Sequence, residues 1–261
     1  MYLGLGGKRA LVLSSSRGLG RGIAEALAAE GADVMLTARS EDRLKAAAEA
    51  INARGAGRAS YLAADLKDSV ETLHAKAVEA LGGPIDVLIA NTGGPPAGTA
   101  LSVAPEAWTP QFEAMVVPVL RLAALVLPQM QQNRFGRIVV VASSGIVQPI
   151  PNLVMSNALR SSILGWAKTL ASEVAKDGIT VNMILPGRIE TDRTVELDGA
   201  NAKRTGKTVD EIAAAARATI PAGRYGDVRE FADVACFLAS ERASYVTGAT
   251  IRVDGGAIRS V

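Results

Sequence analysis

The sequence predicts a doubly wound α/β fold: a parallel sheet of about seven strands, covered by helices on both faces, in one domain spanning residues 1–261. Three observations carry this expectation. Short apolar runs rich in strand formers alternate with stretches of helical period along the whole chain. The strand runs are apolar at consecutive positions, the pattern of strands buried on both faces. No linker, repeat or low-complexity segment divides the chain, and hydrophobic residues make up 49% of it, enough for one large core.

Arg9 to Ser14 (RALVLS) reads as the first strand, followed by a Ser/Gly turn and a helical period from Gly18 to Glu30. Ala32 to Ala38 is the second strand, Glu41 to Arg54 an amphipathic helix, Gly57 to Ala63 a strand and Ser69 to Leu81 a helix. Ile85 to Ala90 is a buried strand. Glu106 to Gln132 reads as one long helix, in which Pro118 removes an N–H and predicts a kink near Ala114. Strand Arg137 to Ala142 follows, then a helix from Asn152 to Lys176, with Asn152 as its expected N-cap behind the stiff Pro149-Ile150-Pro151 approach. Thr180 to Leu185 is a strand. Gly187 to Lys207 is polar and reads as loop, either a lid over a ligand or plain surface; the candidate lid extends to about residue 220. Helices at Val209 to Ala218 and Glu230 to Ala239 and a last strand at Ala249 to Val253 complete the alternation. Right-handed crossovers between such strands give a Rossmann-type sheet, which takes ligands at the carboxyl ends of its strands.

The net charge is +2, with 28 Lys and Arg against 26 Asp and Glu and no basic tract, so neither nucleic acid nor an acidic membrane surface is an expected partner. The apolar runs read as shorter than a membrane span, and Met1 to Gly7 lacks the pattern of a secretion signal, so a cytoplasmic protein is expected. The single cysteine, Cys236, lies in an apolar helical run and reads as a buried, inert thiol. The single histidine, His74, reads as a packing residue, and no metal site is expected.

The first strand runs into Ser14-Ser15-Ser16-Arg17-Gly18-Leu19-Gly20 and then a helix. Glycines there let the backbone approach a pyrophosphate, and the helix N-terminus offers free N–H groups and partial positive charge. A dinucleotide is the implied ligand. The second strand ends Thr37-Ala38-Arg39-Ser40, without the acid that holds a ribose 2′-hydroxyl in NAD-binding chains. Arg39, with Arg17 nearby in the turn, suits a 2′-phosphate, so NADP is favoured over NAD.

Taken with Gly7 to Gly20, this opening resembles the short-chain dehydrogenase/reductase family, and within it the β-ketoacyl-acyl-carrier-protein reductase branch. The resemblance covers essentially the whole chain. Asp65-Leu66 resembles the segment that meets the adenine ring. Asn91-Thr92-Gly93-Gly94 stands where the family has Asn-Asn-Ala-Gly. Pro186-Gly187, with Ile189 and Thr191, resembles the loop over the nicotinamide, and Tyr245 to Gly256 the C-terminal strand and its flanks. The family's first motif glycine is replaced by Ser14, which must change the turn angle or carry strain. The serine hydroxyls of the turn, Ser14 and Ser16 among them, are candidate phosphate donors.

The resemblance also implies a reaction centre: a tyrosine proton donor, a lysine four residues later, a serine at the preceding strand end and an asparagine on the neighbouring helix. Ser143 matches the serine. Ser156 stands at the tyrosine position, Arg160 at the lysine position and Met115 at the asparagine position. An aliphatic hydroxyl is a far weaker acid than a phenol, and arginine keeps its proton. Of the other acids, Tyr225 and the carboxylates Glu190, Asp192, Glu196 and Asp198 are the ones near the expected pocket.

Two functions follow. One is an NADP(H)-dependent oxidoreductase acting on a ketone or alcohol, with an acyl thioester as one substrate option. In it Ser143 and Ser156 bind the carbonyl oxygen, and Arg160 holds the ribose and supplies positive charge. The other is a catalytically silent dinucleotide-binding protein acting as sensor or assembly subunit. The family implies a homotetramer or homodimer through the two long helices and the last strand.

Overall fold

The computed structural model describes residues 2–260. Seven strands form one parallel sheet: β1 (Arg9–Val12), β2 (Asp33–Ala38), β3 (Ala59–Ala63), β4 (Val87–Asn91), β5 (Gly136–Val141), β6 (Ile179–Pro186) and β7 (Thr250–Val253). Their spatial order is β3-β2-β1-β4-β5-β6-β7. β1 pairs with both β2 and β4, so the winding reverses beside β1, and the carboxyl ends of β1 and β4 flank the resulting crevice. The fully buried runs Ala10 to Leu13, Val34 to Leu36 and Val87 to Ile89 explain why the strands read as continuous apolar stretches.

Two cores lie on opposite faces of this sheet. Helices α1 (Gly18–Ala29), α2 (Glu41–Asn52) and α9 (Val228–Ala239) cover one with Ile23, Leu27, Leu44 and Phe231. Helices α3 (Val70–Leu81), α4 (Trp108–Met115), α5 (Val117–Asn133) and α6 (Val154–Val174) cover the other with Leu73, Val119, Leu122, Leu159 and Ile163. Helix α9 begins with a reciprocal capping box, Asp227 accepting from the chain and Glu230 reaching back to the Asp227 N–H, and so starts before the expected Glu230.

Four local expectations are corrected. The polar stretch is not a loop throughout: α7 (Asp192–Thr205), capped by Thr191, fills most of it, while α8 (Val209–Ala218), with a Thr208–Glu211 capping box, is the helix expected there. The expected single long helix is two, broken at Val116, with Pro118 in the first turn of α5, where its missing N–H costs nothing. Asn152 does not cap α6; it adopts a left-handed backbone, φ 62°, and Leu153 stands at the cap without a side-chain bond. The span Pro105–Asn133 is, by length and composition alone, apolar enough to cross a membrane, contrary to the expectation of short apolar runs. Met115, Val119, Leu122, Val126 and Met130 within it pack into the core.

Cys236 is buried, as expected. Burial, followed by Glu30 and Asp233, pushes its thiol up to about 12. A folded pKa above the unfolded value stabilises the fold fully below about pH 9, and that contribution is lost as pH rises toward 12. The native protein at pH 8 is expected to leave Ellman's reagent unreacted, with one thiol appearing on denaturation. Rapid native labelling would show that α9 opens.

Candidate active site

The end of β1 turns through Ser14, whose φ of 50° places an L-residue in the left-handed region. The strained alternative foreseen for this serine is therefore the one adopted, at about 1 kcal/mol. The turn is held from both sides. Asn91 Nδ2, at the end of β4, donates to the Ser14 carbonyl at 3.4 Å. Ser15 is fully buried: its hydroxyl donates to the Val12 carbonyl at 2.8 Å and accepts from the Thr37 N–H at 2.9 Å. Ser15 is thus removed from the candidate phosphate donors, and it staples the turn to β2. A Cβ on Gly20 would stand 2.5 Å from the Ser14 carbonyl oxygen and 2.8 Å from Asn91 Nδ2, so a side chain there would fill the turn.

Helix α1 opens from Arg17 with no side-chain cap and no acid in its first turn. Its first N–H groups and the positive end of its dipole face the crevice unpartnered by a cap, which fits a pyrophosphate. Arg39 is exposed past β2, with Leu19 half-buried behind the turn. Asp65 is half-buried, its carboxylate accepting from the Lys67 N–H at 3.1 Å, and Leu66 packs on the core. Past β4, Gly93 is exposed, and a Cβ on it would meet nothing within 4 Å.

Pro186 ends β6, and Gly187 lies so close to Asp254 that a Cβ would stand 2.6 Å from the Asp254 Cα. Ile189 is buried, and its carbonyl accepts from the Thr194 hydroxyl at 2.5 Å. Thr191 lies over Gly18, 3.7 Å from where its Cβ would be. Helix α7 therefore crosses above the glycine turn. Asp192 and Glu196 pair with Arg17 at 2.7 and 3.6 Å, and Arg193 Nη2 donates to the Pro95 carbonyl at 3.2 Å on the other flank. Arg17 is accordingly engaged by α7, and the Asp192 hydrogen bond raises its pKa further.

Asp198 and Tyr225 are engaged with one another. Asp198 is buried between Arg188, which pairs with its carboxylate, and Tyr225, whose hydroxyl donates to it at 2.8 Å. Burial, then the Asp198 contact, holds the Tyr225 phenol above its usual range. This clasp anchors α7. Glu190 is exposed. His74 is half-buried and its pKa lowered by burial.

Ser143, just past β5, accepts from the Gly145 N–H at 3.1 Å, which holds its oxygen at the strand end. Ser156 is nearly buried on α6, and Arg160 lies one turn further on the same face. Asn157 was not singled out from the sequence; its amide bonds both the N–H and the carbonyl of Ile150, at 3.3 and 3.0 Å, and so fixes the approach to α6. Met115 is buried at the end of α4.

The Arg160 guanidinium does not reach outward to a ribose or a substrate. It donates to three main-chain carbonyls: Val141 at 2.8 Å, Thr92 at 3.2 Å and Gly93 at 3.3 Å. Burial, with the charge of Arg193 adding to it, pushes Arg160 down to about 10, so it remains a cation at neutral pH. The expected fork onto a ligand is replaced by a fork onto the ends of β4 and β5.

A protein-family model described as Enoyl-(Acyl carrier protein) reductase matches residues 13–257. The 3-oxoacyl-acyl-carrier-protein reductase FabG of Escherichia coli (strain K12) is 38% identical over 254 residues, 96% of this chain and 97% of that protein. FabG of Vibrio harveyi is 38% identical over 97% of this chain and 98% of its own. Among solved structures, the L-sorbose reductase of Gluconobacter frateurii complexed with NADPH and L-sorbose superposes with a TM-score of 0.93 at 33% identity, covering all of both chains. YwfH, an NADPH dependent reductase involved in bacilysin biosynthesis, gives 0.92 at 30% identity, over 97% of this chain and 99% of that one. With a glycine turn at the sheet's reversal point and likeness along its whole length, the chain belongs to the short-chain dehydrogenase/reductase family of oxidoreductases.

Proposed function

We propose that this protein is an NADP(H)-dependent oxidoreductase that interconverts a ketone and an alcohol at a non-standard centre. The observation that carries the proposal is the uncapped, acid-free start of α1 at the reversal point, behind a turn that only a bare Gly20 leaves open. The 3-oxoacyl reductases and the NADPH-complexed reductases among its relatives support the cofactor and the reaction class. In this reading Ser14, Ser16, Gly18, Leu19 and Gly20 line the pyrophosphate, with Arg17 beside it. Arg39 takes the 2′-phosphate, Asp65 and Leu66 flank the adenine, and Asn91 and Gly93 line the ribose. Pro186, Gly187, Ile189 and Thr191 face the nicotinamide, which supplies hydride when bound. Helices α7 and α8 act as the lid.

Ser143 and Ser156 offer hydroxyls to the carbonyl oxygen. Arg160 acts from beneath, as a fixed positive charge that also holds the ends of β4 and β5 in place. Water supplies the proton in this reading, Asp198 and Tyr225 being paired with one another and Asp192 and Glu196 with Arg17. The substrate is a small molecule, an acyl thioester being one option. The α5 and α6 faces meet a second copy in a cytoplasmic dimer or tetramer. A catalytically silent dinucleotide binder is the second reading, favoured by Arg160 being spent on carbonyls.

Calorimetric titration with NADPH and NADH tests the cofactor reading. Wild type is expected to bind NADPH in the micromolar range and NADH more weakly. Arg39→Ala is expected to weaken NADPH about tenfold and leave NADH unchanged, as loss of a guanidinium–phosphate bond requires. Equal losses for both nucleotides would reject Arg39 as the 2′-phosphate ligand. No binding of either would reject the oxidoreductase reading.

A further inference from the structure

Two guanidinium groups approach one short stretch of backbone, Thr92 to Pro95, from opposite directions. Arg160 rises from α6 to the Thr92 and Gly93 carbonyls. Arg193, second residue of α7, descends to the Pro95 carbonyl and lies 3.4 Å from where a Gly94 Cβ would stand. Burial, followed by the charge of Arg193, raises the cost of charging Arg160. The acid beside Arg193 is Glu196, 3.5 Å away, exposed, and shared with Arg17 at 3.6 Å. The hydrogen bonds of Arg160 all go to neutral carbonyls. A Cβ on Gly93 would meet nothing within 4 Å, so the space beside that residue is open. A stretch with two cations, open space at Gly93 and one shared carboxylate is short of negative charge.

We propose that Arg193, with the charge of Arg160 behind it, seats the carboxylate of an oxo-acid substrate above Thr92–Pro95. This rests on the oxidoreductase reading and specifies its substrate class. The reacting carbonyl then lies beside Ser143 and Ser156: Ser156 is one turn before Arg160 on α6, and Ser143 is two residues past Val141, whose carbonyl Arg160 holds. The anion seated here is not the cofactor's pyrophosphate. That group has its own place at the α1 N-terminus, where Arg17 stands and Thr191 closes over Gly18. Asp192 pairs with Arg17 at that place, whereas Arg193 reaches the Pro95 carbonyl and shares only Glu196 with Arg17. A guanidinium presents two parallel donors to a carboxylate, which suits Arg193 for this contact.

The test is calorimetric titration of the NADP+-loaded protein with acetoacetate and with its neutral ethyl ester. Ketone and nicotinamide are both oxidised in this complex, so no turnover consumes the ligand. Wild type is expected to bind the acid about tenfold or more tightly than the ester, the strength of a hydrogen-bonded charge pair. Arg193→Ala is expected to erase the preference by weakening the acid alone, and Arg193→Lys to keep part of it. NADPH affinity is expected to stay within about twofold in both variants, as for a residue outside the cofactor's phosphate site. Ester binding as tight as acid binding, binding of neither ligand, or an unchanged ratio in Arg193→Ala overturns the proposal while leaving the functional reading intact. A parallel loss of NADPH affinity in Arg193→Ala also overturns it, and moves Arg193 to the cofactor's phosphates. Failure of wild type to bind NADPH overturns the functional reading itself, and this proposal with it.

Discussion

Arg160→Met is expected to lower the free energy of unfolding by about 3 kcal/mol, measured by urea denaturation without nucleotide at unchanged denaturant dependence. Methionine roughly keeps the length and apolar packing of the side chain. It leaves the Val141, Thr92 and Gly93 carbonyls without their donor. A buried acceptor that loses a charged donor costs more than an ordinary hydrogen bond, about 1–3 kcal/mol each. Two effects reduce the sum: a desolvated cation disappears, and water can reach some of the freed oxygens. Arg160→Lys keeps the charge, but its single ammonium cannot span the ends of β4 and β5 at once, so an intermediate loss is expected. A loss below about 1 kcal/mol for methionine would show that the desolvation cost of the guanidinium cancels its bonds.

Ser156→Tyr combined with Arg160→Lys is expected to raise the rate of NADPH-dependent ketone reduction by about 100-fold, read in kcat more than in KM. A phenol beside an ammonium is a competent acid near neutral pH, whereas Ser156 offers an aliphatic hydroxyl. Ser156 and Arg160 are both nearly buried, one turn apart on one face of α6, so the replacements fall side by side. The pH profile of the variant should acquire a limb that wild type lacks. An unchanged rate would mean that proton transfer does not limit the native reaction. Activity appearing only in the double variant would favour the silent binder as the native state.

The central strands were legible because buried parallel strands leave an unbroken apolar record, as in Val34 to Leu36 and Ile138 to Val141. Helix α7 was not. Its sequence, DRTVELDGANAKRT, buries little besides Asp198 and Ala202, and it is held by the Thr191 cap and the contacts of Asp198 with Arg188 and Tyr225. Arg188 and Tyr225 lie 10 and 27 residues from Asp198, outside any helical repeat, so no local period announces them. The break at Val116 was half legible, because Pro118 marks it but cannot say whether the chain bends or restarts. Of the candidate centre, the identities of Ser143, Ser156 and Arg160 followed from the family resemblance and its register along the chain. The inward turn of Arg160 depends on where β4 and β5 end relative to α6, which spacing cannot supply. Arg193 left no signal, being one polar residue among many on a surface helix.

Helix α7 touches both banks of the crevice, Arg17 on one and Pro95 on the other. Under the proposed function, the nucleotide and its substrate would both pass beneath this one helix, and the ceiling on turnover would be the frequency at which it lifts. Because the ties on Arg17 are exposed ion pairs, that frequency should rise with ionic strength.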